Sequence, residues 1–144
     1  MINPDTVKLL RECDAGIKMG VSSIDDVLGS VKDGEMRRLL EDCKTDHRTL
    51  ERETRALLDQ YGDDGKEPSM IAKGMSRMKT NAKLTMNESD ATVADLMTDG
   101  CDMGIKSLSR YLNQYKAADE TAKDIAKRLI SVEEKLGVAL RSYL

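Results

Sequence analysis

Apolar side chains recur at alternating spacings of three and four residues along most of the chain, which is the pattern of amphipathic α-helices packed in a bundle. The pattern is most regular over 34–61. Asn3 before Pro4, Asp33 in a KDGE break and a later NESD segment supply the capping residues expected at helix starts. The pattern therefore predicts five helices, at about 4–30, 34–61, 69–86, 89–116 and 119–143.

Short turns join the four long helices in pairs, which requires two antiparallel helical hairpins. The connection between the hairpins, about 62–88, is longer and contains the short fifth helix. A chain of 144 residues buries enough surface to fold without a disulfide or a metal. We expect one all-α domain over 1–144, a four-helix bundle of two hairpins with a short extra helix in the long connection.

Composition excludes some classes of function. The net charge of −3 argues against a general nucleic-acid binder, so no specific nucleic acid is expected as a partner. No stretch has the length and apolarity of a transmembrane segment or a secretory leader, and a cytoplasmic location is expected. Three cysteines without disulfide-type spacing are predicted to be free thiols.

A short motif occurs twice, as CDAGIK at 13–18 and CDMGIK at 101–106, and this repeat predicts a duplicated hairpin. In each copy an aspartate precedes a lysine by four residues, a favourable spacing for an ion pair on a helix. Asp14 also lies on the apolar stripe of its helix, where a carboxylate needs a partner or a metal. Glycines within the helices predict close approach of other backbone, at Gly16, Gly20, Gly100 and Gly104.

Cys43 and His47 are four residues apart and share one helix face. Together with Cys13 or Cys101 they have the donor types that bind a soft divalent metal. The alternative is that His47, the only histidine of the chain, is a buried residue hydrogen-bonded to a neighbouring side chain. Both interpretations stay open at the level of sequence.

The segment 66–83 holds five cations and one acid. A basic helix that carries methionines can bind an acidic surface, a membrane interface or a partner groove. The alternative is a helix that packs its methionine side on the bundle and leaves its lysines in solvent. The residues predicted to bind an acidic partner are Lys73, Arg77, Lys79 and Lys83.

The order of three segments, YGDDGKEP, IAKGMSRMKTNAKL and LMTDGCDMGIKSLSRYLNQY, resembles a group of uncharacterised bacterial ferritin-like proteins. The resemblance covers nearly the whole chain and implies a ferritin-like four-helix bundle. In iron-handling members of that superfamily, the first and third long helices each give a Glu. The other two long helices each give Glu-x-x-His, and the six residues bind two metal ions.

This chain departs from that ligand pattern. It reads Lys44-x-x-His47 in the second long helix and Glu134-x-x-Gly137 in the last. A lysine among the ligands opposes metal binding electrostatically. Ferroxidase or peroxidase activity is therefore not expected. The nearest acids on the other two long helices are Glu12 or Asp14, and Asp102.

Two hypotheses follow. The first is a non-enzymatic binding or assembly module that has lost a di-iron site and forms a homodimer through an apolar helix face or binds another protein. The second is a remodelled site for one divalent metal, used in metal storage or redox chemistry. Its candidate ligands are Asp14, Cys43, His47, Cys101, Asp102 and Glu134.

Overall fold

The computed structural model describes residues 3–144, which form five α-helices and no strand. The all-α prediction is confirmed, and four of the five helices end slightly earlier than the apolar pattern indicated. The elements are α1 (Pro4–Leu28), α2 (Gly34–Gln60), α3 (Met70–Met86), α4 (Asp90–Gln114) and α5 (Glu120–Leu140), followed by a 3₁₀ turn at Arg141–Tyr143.

Each α-helix begins after a residue whose side chain accepts a hydrogen bond from a backbone N–H of the first turn. This bond satisfies one of the donors that have no partner within the helix. Asn3 and Asp33 act in this way, as their sequence positions predicted. The other capping residues are Ser69, Ser89 and Asp119.

The four long helices pack around a common core. The most extensive packing joins α1 to α2 and α4 to α5. In addition, α5 packs on α1 and α2, and α4 packs on α1. The short helix α3 lies outside this core and contacts only α1 and α4 extensively.

The core consists of two apolar clusters separated by a polar layer. One cluster includes Ile17 and Leu129, and the other includes Ile24 and Leu136. Between the two clusters the residues are not apolar, because each long helix has a glycine or a charged side chain at this level. The polar layer consists of Gly20 of α1, His47 of α2, Gly104 of α4 and Glu133 of α5.

Candidate functional site

His47 and Glu133 form a buried pair in the polar layer. His47 is 1% exposed, and its Nε2 lies 2.8 Å from Oε1 of Glu133. Its Nδ1 lies 2.8 Å from the backbone oxygen of Cys43. A carbonyl oxygen and a carboxylate both accept hydrogen bonds, so each ring nitrogen donates. The pair is therefore an imidazolium and a carboxylate that joins α2 to α5.

The pKa of His47 agrees with this assignment. Burial alone would lower the pKa, because it disfavours the charged ring. The hydrogen bond with Cys43, together with the hydrogen bond and the charge of Glu133, outweighs the burial and raises the pKa to about 10. His47 is thus charged at neutral pH and has no free nitrogen for use as a general base.

Gly20 makes room for this pair. A Cβ on Gly20 would lie 2.5 Å from Nε2 of His47, which is closer than real side chains approach. A Cβ on Gly104 would lie 3.7 Å from Cδ of Glu133, which is an ordinary contact distance. The glycines were predicted to admit other backbone, whereas the group that Gly20 admits is the side chain of His47. Gly100 has no such neighbour within 4 Å.

The thiols of Cys13 and Cys101 are buried and protonated. Burial, followed by the charge of Glu133, raises the pKa of Cys101, and burial raises that of Cys13 to about 12. Because a thiolate is the form that attacks or binds metal, these two thiols are in the inert form. Sγ of Cys43 lies 3.6 Å from Nδ1 of His47. All three cysteines are free, as predicted.

The structure brings only part of the predicted metal-ligand set to this layer. Cys43 and His47 meet, and Cys101 lies beside Glu133, with which it lines a pocket of about 430 Å³ between α4 and α5. Asp102 and Glu134 are exposed at the edge of that pocket.

Both ring nitrogens of His47 are engaged in hydrogen bonds in this layer. No group of three or more His, Cys, Asp or Glu side chains within 3–144 is arranged to hold a metal ion, and the metal site stays a prediction. Lys44 points away from the layer and pairs with Asp25 at 2.6 Å, because α1 offers it an acid there. The lysine is therefore not among the interior groups.

Glu133 is the functional residue that the sequence analysis missed. The sequence analysis took the neighbouring Glu134 from the ferritin-like motif and did not consider Glu133. The spacing Leu129, Glu133, Leu136 continues the alternation of four and three, and Glu133 is buried on that stripe. This regular spacing was the available signal.

Asp14 has a separate role at the loop after α2. It is 1% exposed, and its Oδ2 accepts hydrogen bonds from the backbone N–H of Lys66 at 2.9 Å and from Nζ of Lys18 at 3.0 Å. The loop turns through Gly65 at a positive φ of 84°, which favours glycine. Asp14 thus fastens the loop to α1, and it does not join the His47 pair.

The second copy of the repeated motif behaves differently. The predicted pair of Asp14 with Lys18 forms, whereas Asp102 is exposed and makes no ion pair with Lys106 among the described residues. Among residues 3–144, no backbone N–H donates to Asp102 as that of Lys66 does to Asp14. The matching sequences therefore do not build matching sites.

The helix α3 turns its apolar side to solvent. Five of its large apolar side chains are between 66% and 89% exposed, and only Thr80 among its residues is buried. The expectation that its methionines pack on the bundle was wrong. We call the exposed apolar stripe the outer face of α3; it consists of Ile71, Met75, Met78 and Ala82, with Met70 and Met86 near its ends.

Three of the four cations predicted to bind an acidic partner pair with acids of this chain. Lys83 pairs with Asp95 at 2.9 Å, and Lys79 with Asp99 at 3.5 Å, both on α4. On the other flank, Arg77 pairs with Asp26 of α1 at 3.6 Å. The fourth, Lys73, is exposed near Glu67. Acids on both neighbouring helices thus lie beside the cations of α3.

Comparison with known proteins adds information on the fold. No family model and no curated protein matches the chain. The crystal structure of a DUF305 fragment from Deinococcus radiodurans superposes with a TM-score of 0.75 at 13% identity, covering 98% of this chain and 95% of that one. At this identity the similarity shows a shared helical fold alone, and the ferritin-like resemblance stays a prediction. No helix within 3–144 has the length and apolarity needed to cross a bilayer.

Proposed function

We propose that the chain is a cytoplasmic, non-enzymatic binding or assembly module whose docking surface is the outer face of α3. Its scaffold is a ferritin-like bundle of two helical hairpins, which the preferential packing of α1 on α2 and of α4 on α5 supports. The observation that carries the proposal is the orientation of α3, with apolar side chains in solvent and cations on the bundle.

The exposed apolar side chains of α3 contribute little to the stability of the chain by itself. Fully burying one Met or Ile side chain stabilises a structure by about 1.5–3 kcal/mol. The exposed residues Ile71, Met75 and Met78 leave most of that stabilisation unrealised. Contiguous exposed apolar patches on a protein mark sites of interaction. A covered outer face therefore accounts for side chains that the chain alone leaves in water.

The interior supports the non-enzymatic part of the proposal. His47 is the only histidine, and both of its ring nitrogens are engaged in hydrogen bonds. The thiols of Cys13 and Cys101 are held in the protonated form by burial. The polar layer thus supplies neither a free base nor an activated nucleophile of the kind that acyl transfer requires.

Site-specific photocrosslinking in living cells tests the docking surface. A benzophenone amino acid at Met78 should give a crosslinked adduct of defined mass. The same group at Lys127, which is exposed on α5, should give none and is the matched control. Equal crosslinking from both positions, or none from Met78, would contradict the proposal.

The remodelled single-metal site stays a prediction, and the engaged nitrogens of His47 do not favour it. Elemental analysis of protein purified under reducing conditions without chelator is the measurement. Near-stoichiometric zinc, iron or manganese that disappears in His47→Ala would establish such a site. Metal-free protein that takes up no added ion would exclude it.

A further inference from the structure

We infer that the outer face of α3 is the interface of a homodimer, in which α3 packs antiparallel against α3 of a second copy. The inference rests on the proposed function, since it names the occupant of the same docking surface.

The outer face is symmetric along the helix. Its positions Ile71, Met75, Met78 and Ala82 are spaced four, three and four residues apart. A two-fold axis between Ser76 and Arg77 would bring Ile71 opposite Ala82 of the second copy, and Met75 opposite Met78. Large side chains then meet small or flexible ones, as an isologous interface requires.

The charges of α3 favour a second copy over an acidic or membrane partner. The helix carries four cations and no acid, so two bare copies would repel each other. Here Arg77, Lys79 and Lys83 pair with acids of α1 and α4 on the side away from the outer face. Their pairing weakens the repulsion between copies, and it also weakens the attraction to an anionic surface.

The surface beside the stripe extends the same face. The pairs Lys83–Asp95 and Lys79–Asp99 show that α3 and α4 run antiparallel. Extending this register by one turn puts Met75 level with Met103, which is 71% exposed on α4. The apolar surface therefore continues from α3 onto α4.

Gly74 leaves bare backbone at the edge of the stripe. A Cβ there would meet nothing within 4 Å, so no contact with the described part of the chain explains a glycine in mid-helix. A second helix packed on the outer face could approach closely at this point, where a side chain would hold it away.

The size of the face indicates a weak dimer. A helix of 17 residues is about 25 Å long. A stable interface of standard size buries about 800 Å² on each partner, which α3 alone does not supply. The contribution from Met103 brings the interface nearer that size. We therefore expect a dimer that dissociates on dilution.

Sedimentation equilibrium of the full chain over about a hundredfold concentration range tests the dimer. The natural protein should pass from monomer to dimer, and Met75→Lys with Met78→Lys should stay monomeric. The matched control is Val138→Lys, which changes a 56% exposed residue of α5 and should dimerise like the natural protein. Circular dichroism should show equal helix content in all three.

Engineered cysteines test the antiparallel arrangement, because the native thiols are buried. Mixing Ile71→Cys with Ala82→Cys should give a disulfide-linked heterodimer. Ile71→Cys alone should not link to itself, since the two copies of that position would lie about 16 Å apart. Rapid linking of Ile71→Cys alone would show parallel helices and overturn the inference.

Three further outcomes distinguish a failure of this inference from a failure of the proposed function. A protein that stays monomeric at every concentration while Met78 crosslinks to a different protein in cells would overturn the homodimer and leave the docking surface in place. A monomer that cosediments with anionic lipid vesicles would overturn the homodimer in favour of a membrane surface. A monomer without any crosslink would overturn both.

Discussion

Replacing His47 by glutamine removes the charge of the buried pair while keeping a polar side chain of similar reach. In the folded protein, His47 donates to the oxygen of Cys43 and to Glu133. Without its cation, the carboxylate of Glu133 remains in the core with incomplete compensation. Breaking a buried ion pair from one side costs about 3–5 kcal/mol. Glutamine retains donors, so we expect about 3 kcal/mol of lost unfolding free energy near pH 6.

The loss should depend on pH with a defined sign. The pKa of His47 rises from 6.5 in the unfolded chain to about 10 in the folded one. Below 6.5 both states hold the proton, and the pair contributes its full stabilisation. Between 6.5 and about 10 only the folded state holds it, so the contribution falls as the pH rises. Above about 10 the contribution of the charge is lost.

Urea unfolding followed by circular dichroism, at about pH 6, 8 and 10, measures this difference. The stability gap between the natural protein and His47→Gln should shrink steadily across the series. The control is Arg48→Gln, which breaks only an exposed pair with Glu51 and should cost less than about 1 kcal/mol at each pH. A gap of the same size at all three pH values would refute the charged pair and show a neutral ring in the folded protein.

Three further substitutions test the packing. Gly20→Ala should lower the unfolding free energy by about 1–3 kcal/mol, because its Cβ would meet the fixed ring of His47. A Cβ at Gly74 would lie in open space, so Gly74→Ala should stabilise α3 by about 0.5–1 kcal/mol in monomeric protein. Amide hydrogen exchange in α3 should become slower, and faster exchange would contradict this. Asp14→Ala should cost about 1–3 kcal/mol and speed amide exchange at Lys66, whereas unchanged exchange would show that the loop is held by other contacts.

Local sequence patterns predicted most of the fold. The regular apolar spacing noted over 34–61 agrees with the positions of the buried residues of α2 from Met36 to Thr54. Capping residues at Asn3 and Asp33 set the helix starts. These features could be read from the sequence because a helix and its caps depend on residues within a few positions of one another.

The candidate site depended on distant residues, and here sequence reasoning was incomplete. His47 and Glu133 are 86 positions apart, so no local pattern could pair them. The same limit explains the error over α3, since the acids that attract its cations lie on α1 and α4. Asp14 and Asp102 make the point most directly, because nearly identical segments place one in the core and the other in solvent.

The orientation of α3 is best understood by contrast with the long helices. Each of those buries an apolar stripe, and the polar layer that interrupts their stripes is satisfied internally by the pair of His47 and Glu133. Only α3 reverses this arrangement, with half-exposed ion pairs on the bundle that are each worth about 0.2–1 kcal/mol. So weak an attachment does not offset leaving Met75 and Met78 in water. A covered outer face would remove this cost, and the crosslinking and sedimentation experiments test whether it is covered.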